Sequence, residues 1–181
     1  MANRWQKYYS GYGESAGLDI DAEYPVMFGS RTGFDLLVYP PKVSAPRALV
    51  ATVSVQRAAG PLSAAEIKQF RHGRKACNGL THQGRLATLS IRNGVKPEDL
   101  NTLLEDFTQF LQQAGFENVC QTCGAAGATE GCFAGGRYLH LCPNCLAGMQ
   151  QQAAKPAKPE NPVAGAVGAL IGSLAGAVCI I

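Results

Sequence analysis

Residues Ala48–Arg57 read ALVATVSVQR, and their pattern sets the fold. Leu49, Ala51, Val53 and Val55 alternate with Val50, Thr52, Ser54 and Gln56, a period of two that predicts a strand with one buried and one wetter face. Upstream, Phe34–Tyr39 is a short apolar run halted by Pro40 and Pro41, as expected where a strand runs out of amide hydrogens. Downstream, Ser63-x-x-Glu66 is a capping box, which predicts a helix over 63–78 that closes at Asn78–Gly79. Ala87, Leu89 and Ile91 alternate with Thr88, Ser90 and Arg92 and predict a third strand. Pro97 then suits a first helical turn and Glu98 and Asp99 complement its positive end. From Leu100 to Ala114 the residues Leu103, Leu104, Phe107, Phe110 and Leu111 recur at helical spacing up to Gly115. The order strand, strand, helix, strand, helix predicts an α+β domain over 31–117, a small sheet with two helices on one face.

Residues 1–30 mix Tyr, Gly, Asp and Ser without a stable period and read as a flexible arm. They hold no apolar stretch of the kind a secretory signal needs, which places the folded part in the cytoplasm with its thiols reduced. The net charge of +3 is unevenly spread, because residues 57–96 carry eight basic side chains against Glu66 alone. On the predicted helix, Lys68, Arg71 and Lys75 share a face. Arg74 falls in the apolar arc beside Ile67, Phe70 and Cys77, and Arg85 follows nearby. Two readings stay open for these residues: a solvated face, or a surface that binds anionic lipid headgroups.

Cys120-x-x-Cys123 is followed after eighteen residues by Cys142-x-x-Cys145, the spacing of a four-thiolate metal site. Each pair presents two thiolates to one ion, and Zn²⁺ takes four in a tetrahedron. The motifs CQTCG and CPNC resemble the zinc-ribbon family over 120–145, within a module at 118–149, and the resemblance implies two knuckles at the ends of short hairpin strands, RYLHL being the second. It implies no activity, since such ribbons serve as spacers, docking surfaces and nucleic-acid contacts. Cys132 and His140 are alternative ligands that would displace one of the four. A redox Cys-x-x-Cys is disfavoured because both pairs sit in glycine-rich, helix-poor sequence. Nucleic-acid binding by the ribbon itself is disfavoured because residues 120–150 hold only Arg137 against Glu130.

Residues 150–162, rich in Pro, Lys and Ala, read as a linker. Residues 163–181 carry no charge and as a helix would span about 28 Å against about 30 Å of bilayer hydrocarbon, which predicts a C-terminal transmembrane helix. Gly168, Gly172 and Gly176 would form a small-residue stripe for self-association or a partner transmembrane helix, with Lys155 and Lys158 on the cytoplasmic flank. A tail folded back on the domain, or a chain that continues into further spans, would read the same way. No set of residues predicts catalysis. Cys77 and His82 lie close in sequence without an orienting third group, and Asp19 and Asp21 lack the other ligands of a calcium loop. The expectation is thus a membrane-tethered, cytoplasm-facing zinc-ribbon protein that acts in binding or assembly without catalysis. Its partners would be an anionic membrane surface and another helix. The alternative is a soluble nucleic-acid-binding protein that uses residues 68–92, separable from the first by salt dependence.

Overall fold

A computed structural model describes residues 4–42, 47–154 and 178–179. In chain order the elements are α1 (Arg4–Ala16), β1 (Asp19–Ile20), β2 (Met27–Arg31), β3 (Phe34–Tyr39), β4 (Leu49–Gln56), α2 (Ala64–Arg71), β5 (Cys77–Gln83) and β6 (Leu86–Ile91). They continue with α3 (Pro97–Gln113), β7 (Glu117–Asn118), β8 (Glu130–Ala134), β9 (Arg137–Leu141), α4 (Pro143–Ala154) and β10 (Val178–Cys179). The α+β class expected from the sequence is what forms. β4 is the central strand: β3 pairs with it on one side and β6 on the other, in the antiparallel order β1-β2-β3-β4-β6-β5. β7 pairs with the end of β4 through Val55 and Asn118.

The odd-numbered residues of β4, Leu49, Ala51, Val53 and Val55, join Leu36, Val38, Ala87, Leu89 and Ile91 in one core. Three helices cover that face, one more than expected. α2 contributes Phe70 and begins at the capping box formed by Ser63 and Glu66. α3 contributes Leu100, Leu103, Leu104, Phe107 and Leu111, at the spacing that places them on one stripe. The third helix, α1, lies in the stretch expected to be a flexible arm. Tyr9 and Ala16 on α1 are fully buried, and Trp5, Tyr8 and Tyr12 pack beside them. The Tyr12 hydroxyl donates to the carbonyl of Val95 at 2.7 Å. Arg31 ties the end of α1 to α3 by donating to the carbonyl of Ala16 and, at 2.7 Å, to Oδ1 of Asn101. Five aromatic and small side chains at helical spacing therefore supply an apolar stripe that polar composition hides.

α2 is shorter than expected. It ends at Arg71, and His72 leads into Gly73, whose φ of +76° an L side chain rarely adopts. Lys75 thus lies in the following turn and Cys77 on β5. Asn78–Gly79 is no helix terminus either, since the register shift between Cys77 and Gly79 makes it a bulge in β5.

The expected transmembrane helix is overturned. Among the described residues no helix is long and apolar enough to cross a membrane. Val178–Cys179, inside the stretch assigned to the span, is a strand paired antiparallel with β8 through Phe133 and Cys132. Four glycines in that stretch disfavour a helix, since glycine gives up more backbone freedom on ordering than any other residue. Gly168, Gly172 and Gly176 lie outside the described residues, as do residues 155–162 of the expected linker, whereas Gln150–Ala154 is the last turn of α4.

Candidate metal centre

The other face of the sheet is not wet. Thr52 and Ser54, on the side of β4 expected to meet water, are at most 1% exposed. The hairpin β8–β9, with the cysteines, lies over this face. Leu37 sits so close to Gly131 that a Cβ there would meet Leu37 Cδ2 at 2.5 Å. Tyr39 packs on Tyr138 and Tyr24 on Phe133, with ring centroids 4.3 and 5.3 Å apart. His140 on β9 is hydrogen bonded through Nε2 to Thr52 Oγ1 at 3.1 Å. Burial pushes the His140 pKa down to about 4, against the opposing pull of Asp35, so its imidazole is neutral at ordinary pH.

Polar links fix the module at its other end. Oδ2 of Asp35 on β3 accepts from Asn118 Nδ2 at 2.6 Å, from the amide of Thr129 at 2.7 Å and from Thr129 Oγ1 at 3.1 Å. Arg85, in the β5–β6 turn, donates to the carbonyls of Gln121 and Thr122 at 3.3 and 3.0 Å. A Cβ at Gly124 would meet that guanidinium at 2.6 Å, and φ there is +78°, so glycine serves both the turn and the close approach. Nothing in the sequence signals the Asp35, Asn118 and Thr129 contact, because its members lie 83 and 94 residues apart.

Local backbone bonds build the two knuckles. The amide of Cys120 donates to Ala125 O and that of Gly124 to Cys120 O, which folds residues 120–125 into a tight loop. Cys142 follows β9 directly and Cys145 lies in the first turn of α4, with the amide of Leu146 donating to Cys142 O at 3.0 Å. The second pair therefore opens a helix, contrary to the helix-poor setting expected. Between the knuckles, Cys120, Cys132, Leu141 and Leu146 form a small apolar core.

Cys120, Cys123, Cys142 and Cys145 come together, their four Sγ atoms all within 4.8 Å of one another. Cys123 and Cys142 are 3.7 Å apart. A disulfide would need about 2.05 Å. Four sulfurs around a tetrahedral ion with bonds of about 2.3 Å lie about 3.8 Å from one another. The four cysteines can thus hold a metal ion. Neither alternative ligand joins the set: Cys132 packs in the small core beside Cys120, and Nε2 of His140 is bonded to Thr52.

Cys120 and Cys145 depart from the ordinary thiol range in opposite directions. Burial raises the Cys120 pKa, yet the backbone amides of Cys123, Cys142 and Thr122 aimed at its sulfur outweigh this and hold it down at about 6. The neighbouring sulfurs of Cys123, Cys142 and Cys120 push Cys145 up to about 12. Four adjacent thiolates repel one another, and a divalent cation relieves that repulsion.

The five basic residues grouped by the sequence are dispersed. Arg74 donates to Asp106 Oδ2 at 2.7 Å and stacks over Phe70, 4.4 Å from the ring centre. Arg85 is bound to the first knuckle. Lys68 and Arg71 remain exposed on α2, and Lys75 beyond it. Cys77 and His82 lie five positions apart on β5, roughly 16 Å along a strand. His82 Nδ1 instead accepts the amide of Leu62 at 3.1 Å. Asp21 caps a turn by accepting from the amides of Glu23 and Tyr24. In comparisons with known proteins, no family, no curated protein and no solved structure matches this chain.

Proposed function

We propose that Cys120, Cys123, Cys142 and Cys145 hold one structural zinc ion, as the zinc-ribbon resemblance implies, and that the chain is a non-catalytic binding or assembly module. The observation that carries this reading is the convergence of the four sulfurs, with the 3.7 Å separation of Cys123 and Cys142 matching a tetrahedral centre. A closed set of four thiolates leaves no open position for a water or substrate, which favours a structural role over a catalytic one. Zinc would lock the two knuckles to each other. Arg85, Asp35 and Thr52 then hold the locked unit on the sheet. The nucleic-acid alternative is weakened because Arg74 and Arg85, two of the cations it would use, are engaged inside the fold.

Elemental analysis of the purified full-length chain tests the assignment. About one zinc per chain, lost in Cys142→Ser and accompanied by a lower unfolding temperature, is the expected result. Metal-free protein whose stability is unchanged by a chelator would overturn it. Iron in place of zinc would keep the centre and change its chemistry, since a tetrahedral set of four sulfurs also suits iron.

A further inference from the structure

The turn between α2 and β5 and the turn between β6 and α3 meet the start of α3 around an open cavity of about 640 Å³. Four cations line it. Arg74 is paired with Asp106, but Lys75, Arg92 and Lys96 have no carboxylate in contact. The ion pairs among the described residues are Arg31 with Glu105, Arg57 with Glu66 and Arg74 with Asp106. Asp99 is the one further carboxylate in the lining. The sequence separates Lys75 from Arg92 by seventeen positions, and only the fold brings them to one concavity.

The backbone that carries these side chains is fixed. The amide of Arg92 donates to Ala76 O at 2.8 Å, which ties the two turns together, and that of Cys77 donates to Arg74 O at 3.1 Å. Val95 receives the Tyr12 hydroxyl from α1. Cations scattered on a surface are ordinarily solvated singly. Three exposed cations round one hollow on a braced backbone add their positive potentials there and attract an anion.

We propose that this cavity binds a doubly charged phosphate group, carried by a soluble phosphorylated molecule or by a lipid headgroup. Three cations less Asp99 leave two positive charges, the complement of a phosphomonoester, which carries about −1.5 to −2 at neutral pH. Arg92 supplies the planar fork suited to two phosphate oxygens, and Lys75 and Lys96 supply point charges. The volume exceeds that of a phosphate alone and leaves room for part of the molecule that bears it. The inference extends the binding-module reading by naming a ligand. It does not depend on the metal, so the two can fail separately.

The test titrates the full-length, zinc-replete chain with inorganic phosphate and pyrophosphate at constant ionic strength, followed by amide NMR shifts. Sedimentation with vesicles that contain phosphatidic acid runs in parallel. Saturable shifts confined to residues 73–76 and 92–99, or vesicle binding, are expected, and each should weaken about tenfold or more in the double variant Arg92→Glu with Lys96→Glu. The control Lys7→Glu with Arg137→Glu, on exposed positions of α1 and β9 outside the cavity, should change neither by more than about twofold. Binding of phosphate without vesicles assigns a soluble ligand, and binding of vesicles alone assigns a headgroup. No saturable response to about 10 mM phosphate together with no vesicle binding would overturn the proposal, as would equal weakening by the control pair.

Discussion

Asp35→Ala should loosen the cysteine module from the sheet, and its cost can be worked from three contacts. One carboxylate oxygen accepts from Asn118 Nδ2, the Thr129 amide and Thr129 Oγ1 at 2.6, 2.7 and 3.1 Å. Hydrogen bonds to a charged group contribute about 1.5–3 kcal/mol each, but three that share one oxygen do not add fully. Asn118 keeps a second acceptor in Gly127 O at 2.9 Å, so the truncation strands chiefly the amide of Thr129, which is 8% exposed. Asp35 itself is half-buried, and water can reach part of the gap. The net loss should be about 2–4 kcal/mol, which for a domain of this size lowers the unfolding temperature by roughly 5–15 °C. Asp35→Asn keeps a neutral acceptor and should lose less than half as much. Calorimetry on the purified protein would read both. A melting temperature for Asp35→Ala within about 2 °C of the parent would refute the view that this carboxylate holds the module in place.

Two further outcomes follow from the geometry. The Glu66 carboxylate is held down to about 2, first by the Arg57 guanidinium and then by the amide and hydroxyl of Ser63. A carboxylate depressed by folding adds stability that is complete above its ordinary value of 4.5 and is lost as pH falls toward 2. Glu66→Gln should therefore flatten the acid-unfolding profile between those pH values, and an unaltered slope there would contradict the pairing. Gly13→Ala would bring a Cβ within 2.9 Å of the carbonyl oxygen of Leu18, a backbone atom that cannot turn aside. It should destabilise the domain by about 1–3 kcal/mol in urea, whereas Gly11→Ala, which meets nothing within 4 Å, should be neutral or stabilising.

What the sequence reveals and what it conceals divide on physical lines. Short-range periodicity suffices for β4, whose alternation of Leu49, Ala51, Val53 and Val55 survives in the core. It suffices also for α3 and for the capping box at Ser63, where the signal and the contact lie within one turn. The cysteine spacing brings the right four sulfurs together because each pair is itself a local turn. α1 stays hidden because its stripe is aromatic and interrupted by Gly11 and Gly13. The alternation of β4 cannot tell water from a second layer, so Thr52 and Ser54 read as wet while both are buried, Thr52 beneath β9. The tail misleads because hydropathy sums the Val, Leu and Ile side chains without asking whether four glycines among nineteen residues favour a helix.

The placement of the cysteine hairpin over the sheet sets an order of assembly. Thr52 must wait for His140, 88 positions later, and Asp35 for Thr129, 94 positions later, so both contacts close long loops and are expected to form late in folding. The knuckles, by contrast, need only the span from Cys120 to Cys145. In a growing chain, the sheet forms with Leu37 and Tyr39 short of their cover until residues 130–141 are made. A stalled or truncated product that stops before Thr129 presents that face to its neighbours, which makes the hairpin at 130–141 the sheet's own chaperone.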